Sequence, residues 1–465
     1  MVSSPTHRRC LLAVLLMAPF MAQADATIAN VAAPSIHADL HTSGAALELV
    51  IGGYLIAFAV LLITGARLGQ THGYRRVFLL GAGVFTAASL LCGLAPSPVA
   101  LIVARVLQGA GAALMFPQTL TGIQLSFEGA ERARAIGLYA IALSSGAVAG
   151  QILGGLLVSG DVLGTQWRAI FFVNVPVGAA VIAAGARHLP RERTSARAAR
   201  RVDVAGVATL SGAVLLVVLP LVLGRAEGWP AWTWLSLAAS VPAFAGFVAA
   251  ERRVRIRGGT PLVSLDAMAP RAVSSAMLAV AAATSTYYGL LLTLALYLQQ
   301  GLGRTALVSG LTLVSWVVAF GAAGQIVRRL PARFGPLAAP TGCLLLAGAY
   351  TALSASLFAG RHAEALLVVL LGAGGLGLGT QFSALIVHLT NAVSDGHAHD
   401  ISGVTTTTTT IAGAIAIAAF GTAYLSLASS GSPTHAFAVV TAGFAAIAGV
   451  AALLAHGATR RPAVR

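Results

Sequence analysis

The chain contains no lysine, only 14 acidic residues among 465, and three cysteines. Charged residues make up 9% of it, where a soluble globular protein carries about 25%. With 57% of the chain hydrophobic, a water-soluble fold has too little polar surface to cover its apolar side chains. Cys10, Cys92 and Cys343 lie in or beside apolar segments without ligand-like spacing. They read as small hydrophobes, which excludes a disulfide framework and a cysteine metal site. No Walker sequence is present, which speaks against ATP as an energy source, and no nucleophile stands with a base, so no enzyme chemistry is implied.

What the chain does contain is a succession of apolar runs of about 20 residues, the length that crosses a hydrocarbon core of about 30 Å. In hydrocarbon every N–H and C=O must be paired internally, so runs of this length are helices. Fourteen spans are expected, near 11–34, 45–65, 77–95, 98–118, 134–158, 168–187, 203–223, 229–250, 272–297, 305–327, 336–358, 363–388, 402–427 and 434–456. Residues 7–24 also resemble a secretory signal ending in Ala22-Gln23-Ala24. The segment is read as span 1 because apolar-compatible sequence continues to Pro34 and the span count pairs correctly only if it is kept.

All 29 basic residues are arginines, and the formal charge is +15. They fall in short clusters between apolar runs rather than on one basic domain, which argues against nucleic acid as a partner. Apart from Arg105, within a span, 24 fall on one side and four on the other: Arg168, Arg225, Arg304 and Arg361. The positive-inside rule then places both termini in the cytoplasm of a multi-pass protein of a bacterial-type inner membrane.

The segment Arg67-Leu68-Gly69-Gln70-Thr71-His72-Gly73 matches Arg329-Leu330-Pro331-Ala332-Arg333-Phe334-Gly335 at an offset of 262 residues. That offset carries spans 1, 3, 4, 5 and 6 close to spans 9, 11, 12, 13 and 14, a parallel repeat with a substrate path between its halves. The expected organisation is a six-helix bundle at 1–187, a basic cytoplasmic linker at 188–202 and two inserted helices at 203–250. A second cytoplasmic linker at 251–271 and a six-helix bundle at 272–465 follow. The arginines of the first linker read as a solvated segment touching anionic lipid.

Several motifs stand out. Span 1 carries Asp25-Ala26-Thr27-Ile28-Ala29-Asn30-Val31-Ala32-Ala33-Pro34, and span 4 carries Arg105-Val106-Leu107-Gln108-Gly109-Ala110-Gly111. Gly65 to Arg76 follow span 2, Gly146 to Gly155 lie in span 5, and Trp167-Arg168 with Phe171 to Pro176 open span 6. Together they resemble the major facilitator superfamily, and within it the fourteen-span drug:proton antiporters of the EmrB/QacA type. The resemblance implies an all-α fold of two six-helix bundles plus two inserted helices, working by rocking-type alternating access.

An ionised carboxylate in hydrocarbon is costly, so Asp25 reads either as a proton carrier or as a protonated acid tied to a neighbouring helix. Asp25 and Arg105 lie at depths that agree to within about 3 Å at 1.5 Å per residue. They are the candidate proton-coupling pair, in agreement with the resemblance, or else Arg105 is a structural tie. Gly65, Gly69, Gln70, Gly73, Arg75 and Arg76 are read as a gating loop. Gln70 and Thr71 replace the family's Asp-Arg there, which removes a charge–dipole latch. Gly146, Gly150 and Gly154 recur every four residues as a close-packing stripe, and with Gly155 the resemblance identifies the stretch as an antiporter motif, with Gln151 where the family has proline. Cavity candidates are Asn30, Gln108, Tyr287, Tyr288, Gln299 and Thr407. Gly372 to Gly379 read as close helix packing, and His397, His399 and Asp400 as a cytoplasmic loop without a metal.

No span of the second half contains a carboxylate, apart from Glu364 at an edge. Neutral or singly charged lipophilic substrates are therefore expected over dications. The function read from the sequence is secondary active export of drugs or small lipophilic compounds in exchange for protons by a monomer in contact with lipid. No cofactor is expected beyond the proton gradient. A facilitator of one metabolite and a non-transporting sensor or scaffold remain as alternatives.

Overall fold

The computed structural model describes residues 5–161, 164–190, 204–224, 227–257, 270–360, 364–391 and 398–460. Among them there are helices and turns and no strand. The first unit, Met1–Val263, contains α1 (Pro5–Leu40), α2 (Gly44–His72), α3 (Tyr74–Gly93), α4 (Pro98–Ser126), α5 (Gly129–Ser159), α6 (Asn174–His188), α7 (Val204–Leu223) and α8 (Ala231–Ile256). The second unit, Ser264–Arg465, contains α9 (Arg271–Leu296), α10 (Val314–Arg329), α11 (Gly335–Phe358), α12 (Glu364–Asn391), α13 (Ala398–Ser430) and α14 (Pro433–Arg460).

Among the described residues, thirteen helical stretches are long and apolar enough to cross a membrane. The fourteenth crossing expected, over 203–223, falls on α7, whose apolar stretch Gly206–Leu221 is shorter than that length. Several helices outrun the hydrocarbon: α2 and α4 have 29 residues each, about 43 Å at 1.5 Å per residue. Their starts are set by side-chain caps. Ser43 accepts from the Ala46 N–H at 3.2 Å. Ser97 accepts from the Ala100 N–H at 3.3 Å with Pro98 at the first turn, where its missing N–H costs nothing.

Helix pairing follows the same scheme in both units. In the first, α2 and α3 pack on α4, α1 on α5, and α3 on α6. In the second, α10 and α11 pack on α12, α9 on α13, and α11 on α14. Glycine seams make these approaches possible. A Cβ at Gly109 would lie 2.2 Å from the Tyr54 carbonyl oxygen, and one at Gly375 would lie 2.3 Å from that of Trp316. The glycines of 372–379 thus sit against α10 and α11, as close packing requires. The pair α7 and α8 packs on itself and on α2, where Ser211 Oγ donates to the Val60 carbonyl at 3.2 Å. On α8 Trp234, Leu235 and Val241 are exposed, a face suited to lipid.

Two expectations are corrected. The gating loop is mostly helix, because α2 runs on to His72 and α3 begins at Tyr74. Only Gly73 breaks the chain between them, at φ +89°, a conformation that favours glycine. His399 and Asp400 lie in the first turn of α13 rather than in a loop, while His397 lies outside the described residues. Residues 191–203 of the basic linker are also outside them.

Candidate functional site

The site is built on α1. Its backbone is gripped from two sides around position 25. On one side, α5 presents Gly146 and Gly150, where a Cβ would lie 2.5 Å from the Phe20 carbonyl oxygen and 2.2 Å from that of Ala24. Thr27 Oγ1 donates to the Ala147 carbonyl at 2.8 Å across the same seam. Gly154 continues it against Ile28 and Val31. On the other side, Tyr54 OH of α2 donates to the Ala22 carbonyl at 2.9 Å. Gly155 is half-buried beside this stripe.

Asp25 is 1% exposed and Arg105, on α4, is 0% exposed. Arg105 Nη1 donates to Asp25 Oδ2 in a buried ion pair. Two amides complete the carboxylate: Gln108 Nε2 and Asn174 Nδ2 each donate to Oδ1 at 2.8 Å. The set of three donors, one of them cationic, matches a carboxylate rather than a carboxylic acid. Arg105 is held in turn by the Gln108 Oε1 acceptor at 2.7 Å and the Val50 carbonyl at 3.0 Å. Its guanidinium carbon stands 4.6 Å from the centre of the Tyr54 ring and 5.7 Å from that of Phe171. Arg105 Nη2 has no hydrogen-bond partner among the described residues, and those ring faces supply the attraction instead. Gln108 Nε2 also donates to Ser89 Oγ at 2.8 Å, which draws α3 into the network.

A second polar cluster holds the C-terminal end of α1. Asp39 Oδ2 accepts from Trp167 Nε1 at 2.9 Å and from Arg168 Nη1 at 2.7 Å, just ahead of α6. The Trp167 hydrogen bond, then that of Arg168, holds the Asp39 carboxyl below the usual carboxylate range. Both clusters therefore join α1 to the segment around α6.

The structure brings Asp25, Arg105 and Gln108 together. Gln108, expected along a cavity, is instead fully buried in the carboxylate network. Tyr287 is also buried, its ring stacked on Trp316 at 5.9 Å, so it belongs to the packing of the second unit. Tyr288 lies beside it, with Gly413 of α13 close against its ring. Gln299 sits half-buried in a π-helical turn, Tyr297–Gly301, that ends α9. Asn30 is exposed on α1. The side chains of Gln70 and Thr407 lie outside what is described. Gly65 and Gly69 are sites of close approach: a Cβ at Gly65 would lie 2.2 Å from the Ala113 carbonyl oxygen, and one at Gly69 would lie 2.0 Å from Gln118 Oε1. Arg75 Nη2 donates to the Ala186 carbonyl of α6 at 2.7 Å, and Arg76 is exposed. Gln151 is buried, and its Oε1 has no partner among the described residues.

Sequence reasoning missed the participation of Asn174, Ser89, Tyr54 and Gln118. Asn174 carried the one available signal, an amide inside the apolar run from Phe171 to Pro176. Gln118 Nε2 donates to the Gly65 carbonyl at 2.8 Å, a contact between α4 and α2 that neither segment announces.

Comparison with known proteins agrees with this architecture. The chain is 39% identical over 431 residues to the "Probable actinorhodin transporter" of Streptomyces coelicolor, covering 91% of this chain and 74% of that protein. It is 36% identical over 317 residues to the "Tetracenomycin C resistance and export protein" of Streptomyces glaucescens, covering 68% and 57% of the two chains. It is 33% identical over 419 residues to the "Puromycin resistance protein pur8" of Streptomyces alboniger, covering 88% and 80%. Among solved structures, the proton:xylose symporter XylE matches with a TM-score of 0.67 at 13% identity, over 97% of this chain and 95% of that one. At that identity the likeness speaks for the fold alone. The family model described as Major Facilitator Superfamily matches residues 15–417, and the chain belongs to that superfamily of multi-pass membrane transporters.

Proposed function

We propose that this chain exports small lipophilic compounds, natural antibiotics among them, across the inner membrane in exchange for protons by alternating access. The observation that carries the reading is the Asp25–Arg105 pair, fully buried in an apolar bundle and enclosed by the amides of Gln108 and Asn174. A buried ion pair is weak support for stability, because removing both charges is often harmless to a fold. Its place in an apolar bundle fits a working role better than a structural one. Relatives named for actinorhodin transport, tetracenomycin C export and puromycin resistance make antibiotics of this kind the favoured substrate class.

In this mechanism a proton reaches Asp25 in one state of the transporter and neutralises it. The pair with Arg105 then loosens, and proton release toward the other side restores it. Gly65, Gly69 and Gly73 with Arg75 and Arg76 take the gating role, and Gly146, Gly150 and Gly154 let α5 move with α1. The energy source is the proton gradient, with no cofactor. Both termini face the cytoplasm, the basic linker touches anionic lipid, and the working unit is a monomer. Among the described residues of the second unit's spans the one carboxylate is Glu364, paired with Arg304 at the start of α12. This favours neutral or singly charged cargo over dications.

The test is reconstitution into liposomes with an imposed pH gradient and a panel of antibiotics and dyes. Export that depends on the gradient and is lost in Asp25→Asn supports the reading. Full gradient-driven export by that variant refutes the role of Asp25. Downhill movement indifferent to the gradient would instead favour the facilitator.

A further inference from the structure

The three donors around Asp25 differ in what each can do when the carboxylate takes a proton. A carboxylic acid must donate its own O–H, so one neighbour has to become an acceptor. Arg105 has no acceptor atom. Gln108 is committed at both ends: its Nε2 donates to Asp25 and Ser89, while its Oε1 accepts from Arg105 Nη1 at 2.7 Å and from Cys92 Sγ at 3.7 Å. Turning that amide over would break all four contacts. Asn174 is 8% exposed, and its side chain makes one hydrogen bond among the described residues, from Nδ2 to Asp25 Oδ1. It stands at the first residue of α6, one residue after the short helix Ala169–Phe172, and Val173 between them keeps helical backbone angles, φ −59° and ψ −29°. Pro176 leaves this join one hydrogen bond short, because it lacks the N–H that would have bonded the Phe172 carbonyl.

We propose that Asn174 is a positioning residue that reads the protonation of Asp25: its amide donates to the carboxylate and turns over to accept from the acid, passing the change to the start of α6. This rests on the proton-coupled reading above. In the loading step a proton from water binds Asp25 Oδ1, and the Asn174 amide makes a half-turn so that its oxygen accepts the new O–H. Arg105 remains cationic and loses its counter-charge. Release of the proton reverses each change. The titratable and charged groups facing this site are Arg105 on α4, Tyr54 on α2 and Cys92 on α3. At this level α5 faces α1 with Gly146 and Gly150.

The experiment is infrared difference spectroscopy of the full chain in lipid nanodiscs, titrated with pH, which needs no transported compound. The carboxylic C=O band of Asp25 is identified by its loss in Asp25→Asn. In the wild type an asparagine side-chain amide band changes together with it, and that band is missing in Asn174→Ala. In Asn174→Ala the acid band persists to a pH about one unit higher, tenfold in proton concentration, because the charged form has lost a donor. Asn174→Ser, whose hydroxyl can donate or accept, falls between. An Asn174→Ala variant that keeps its melting temperature and titrates as the wild type overturns the proposal. So does a wild-type amide band that stays still, a result that decides the matter even where the alanine variant does not fold. If no titrating band disappears in Asp25→Asn, the proton-coupled reading itself fails, an outcome distinct from both.

Discussion

Replacing Arg105 by glutamine removes the charge that balances Asp25 while Asp25 remains 1% exposed. Breaking a buried ion pair by removing one partner costs about 3–5 kcal/mol, because the other charge stays behind uncompensated. The Val50 carbonyl, which accepted from Arg105 Nε at 3.0 Å, adds about 1–3 kcal/mol if left unpaired. Asp25→Asn has the converse effect, leaving a buried cation against the rings of Tyr54 and Phe171. It too should cost about 3–5 kcal/mol. The double variant contains neither charge, so its cost should fall below the sum of the single costs by about 3 kcal/mol or more. The assay is equilibrium unfolding of the four purified proteins in one lipid–detergent system, followed by tryptophan fluorescence. Costs that add to within about 0.5 kcal/mol would refute the reasoning, since independent sites add to that tolerance.

The glycines of α2 should rank by what a methyl group meets. Gly65→Ala meets the Ala113 carbonyl oxygen, which is backbone, and should cost about 1–3 kcal/mol in the same unfolding assay. Gly69→Ala meets the end of Gln118, which can swing away at the loss of its bond to the Gly65 carbonyl, about 1 kcal/mol. Gly137→Ala meets nothing within 4 Å and should stabilise α5 by up to about 1 kcal/mol. The Asp39 carboxyl, held below its ordinary value, contributes stability above about pH 4 that is lost as pH falls through the lower folded value. The melting-temperature gap between wild type and Asp39→Asn, present at pH 6, should therefore close below about pH 4, and a constant gap would contradict this. Glu364→Gln breaks an ion pair whose side chains are 51% and 73% exposed, and it should change unfolding by less than about 1 kcal/mol.

The span pattern was legible because the bilayer imposes it: hydrocarbon leaves helices as the form available to these runs. Helix ends were less legible, since α1 runs six residues past Pro34 to Leu40 through polar positions that hydropathy does not register as span. Asp25 and Arg105 were conspicuous as charges in apolar runs, and the helical rise was enough to put them at one depth. Asn174 was not, because its bond to Asp25 joins residues 149 apart in the chain and a neutral amide leaves no mark on composition. Tyr287 was ambiguous in a different way. A tyrosine on a helix reads alike whether it lines a cavity or stacks on Trp316, and only the packing of α10 against α9 separates the two.

The α1 backbone around Asp25 is also held by contacts that carry no charge. The α5 glycines approach the backbone of α1 at Phe20 and Ala24, and Tyr54 bonds the Ala22 carbonyl, so three contacts on neutral groups set this stretch of α1. These contacts would keep α1 in place while the ion pair breaks, as the proposed proton-driven cycle requires. A structural tie would be arranged the other way, with the charged contact holding helices that pack poorly without it. Asp25→Asn keeps the volume and the α1 seams but removes the counter-charge of Arg105 along with the ionisable group, so its transport is read beside its stability. Gln151, next to Gly150 on α5, has a buried Oε1 that has no partner among the described residues. That unmet acceptor is a local cost of about 1–3 kcal/mol.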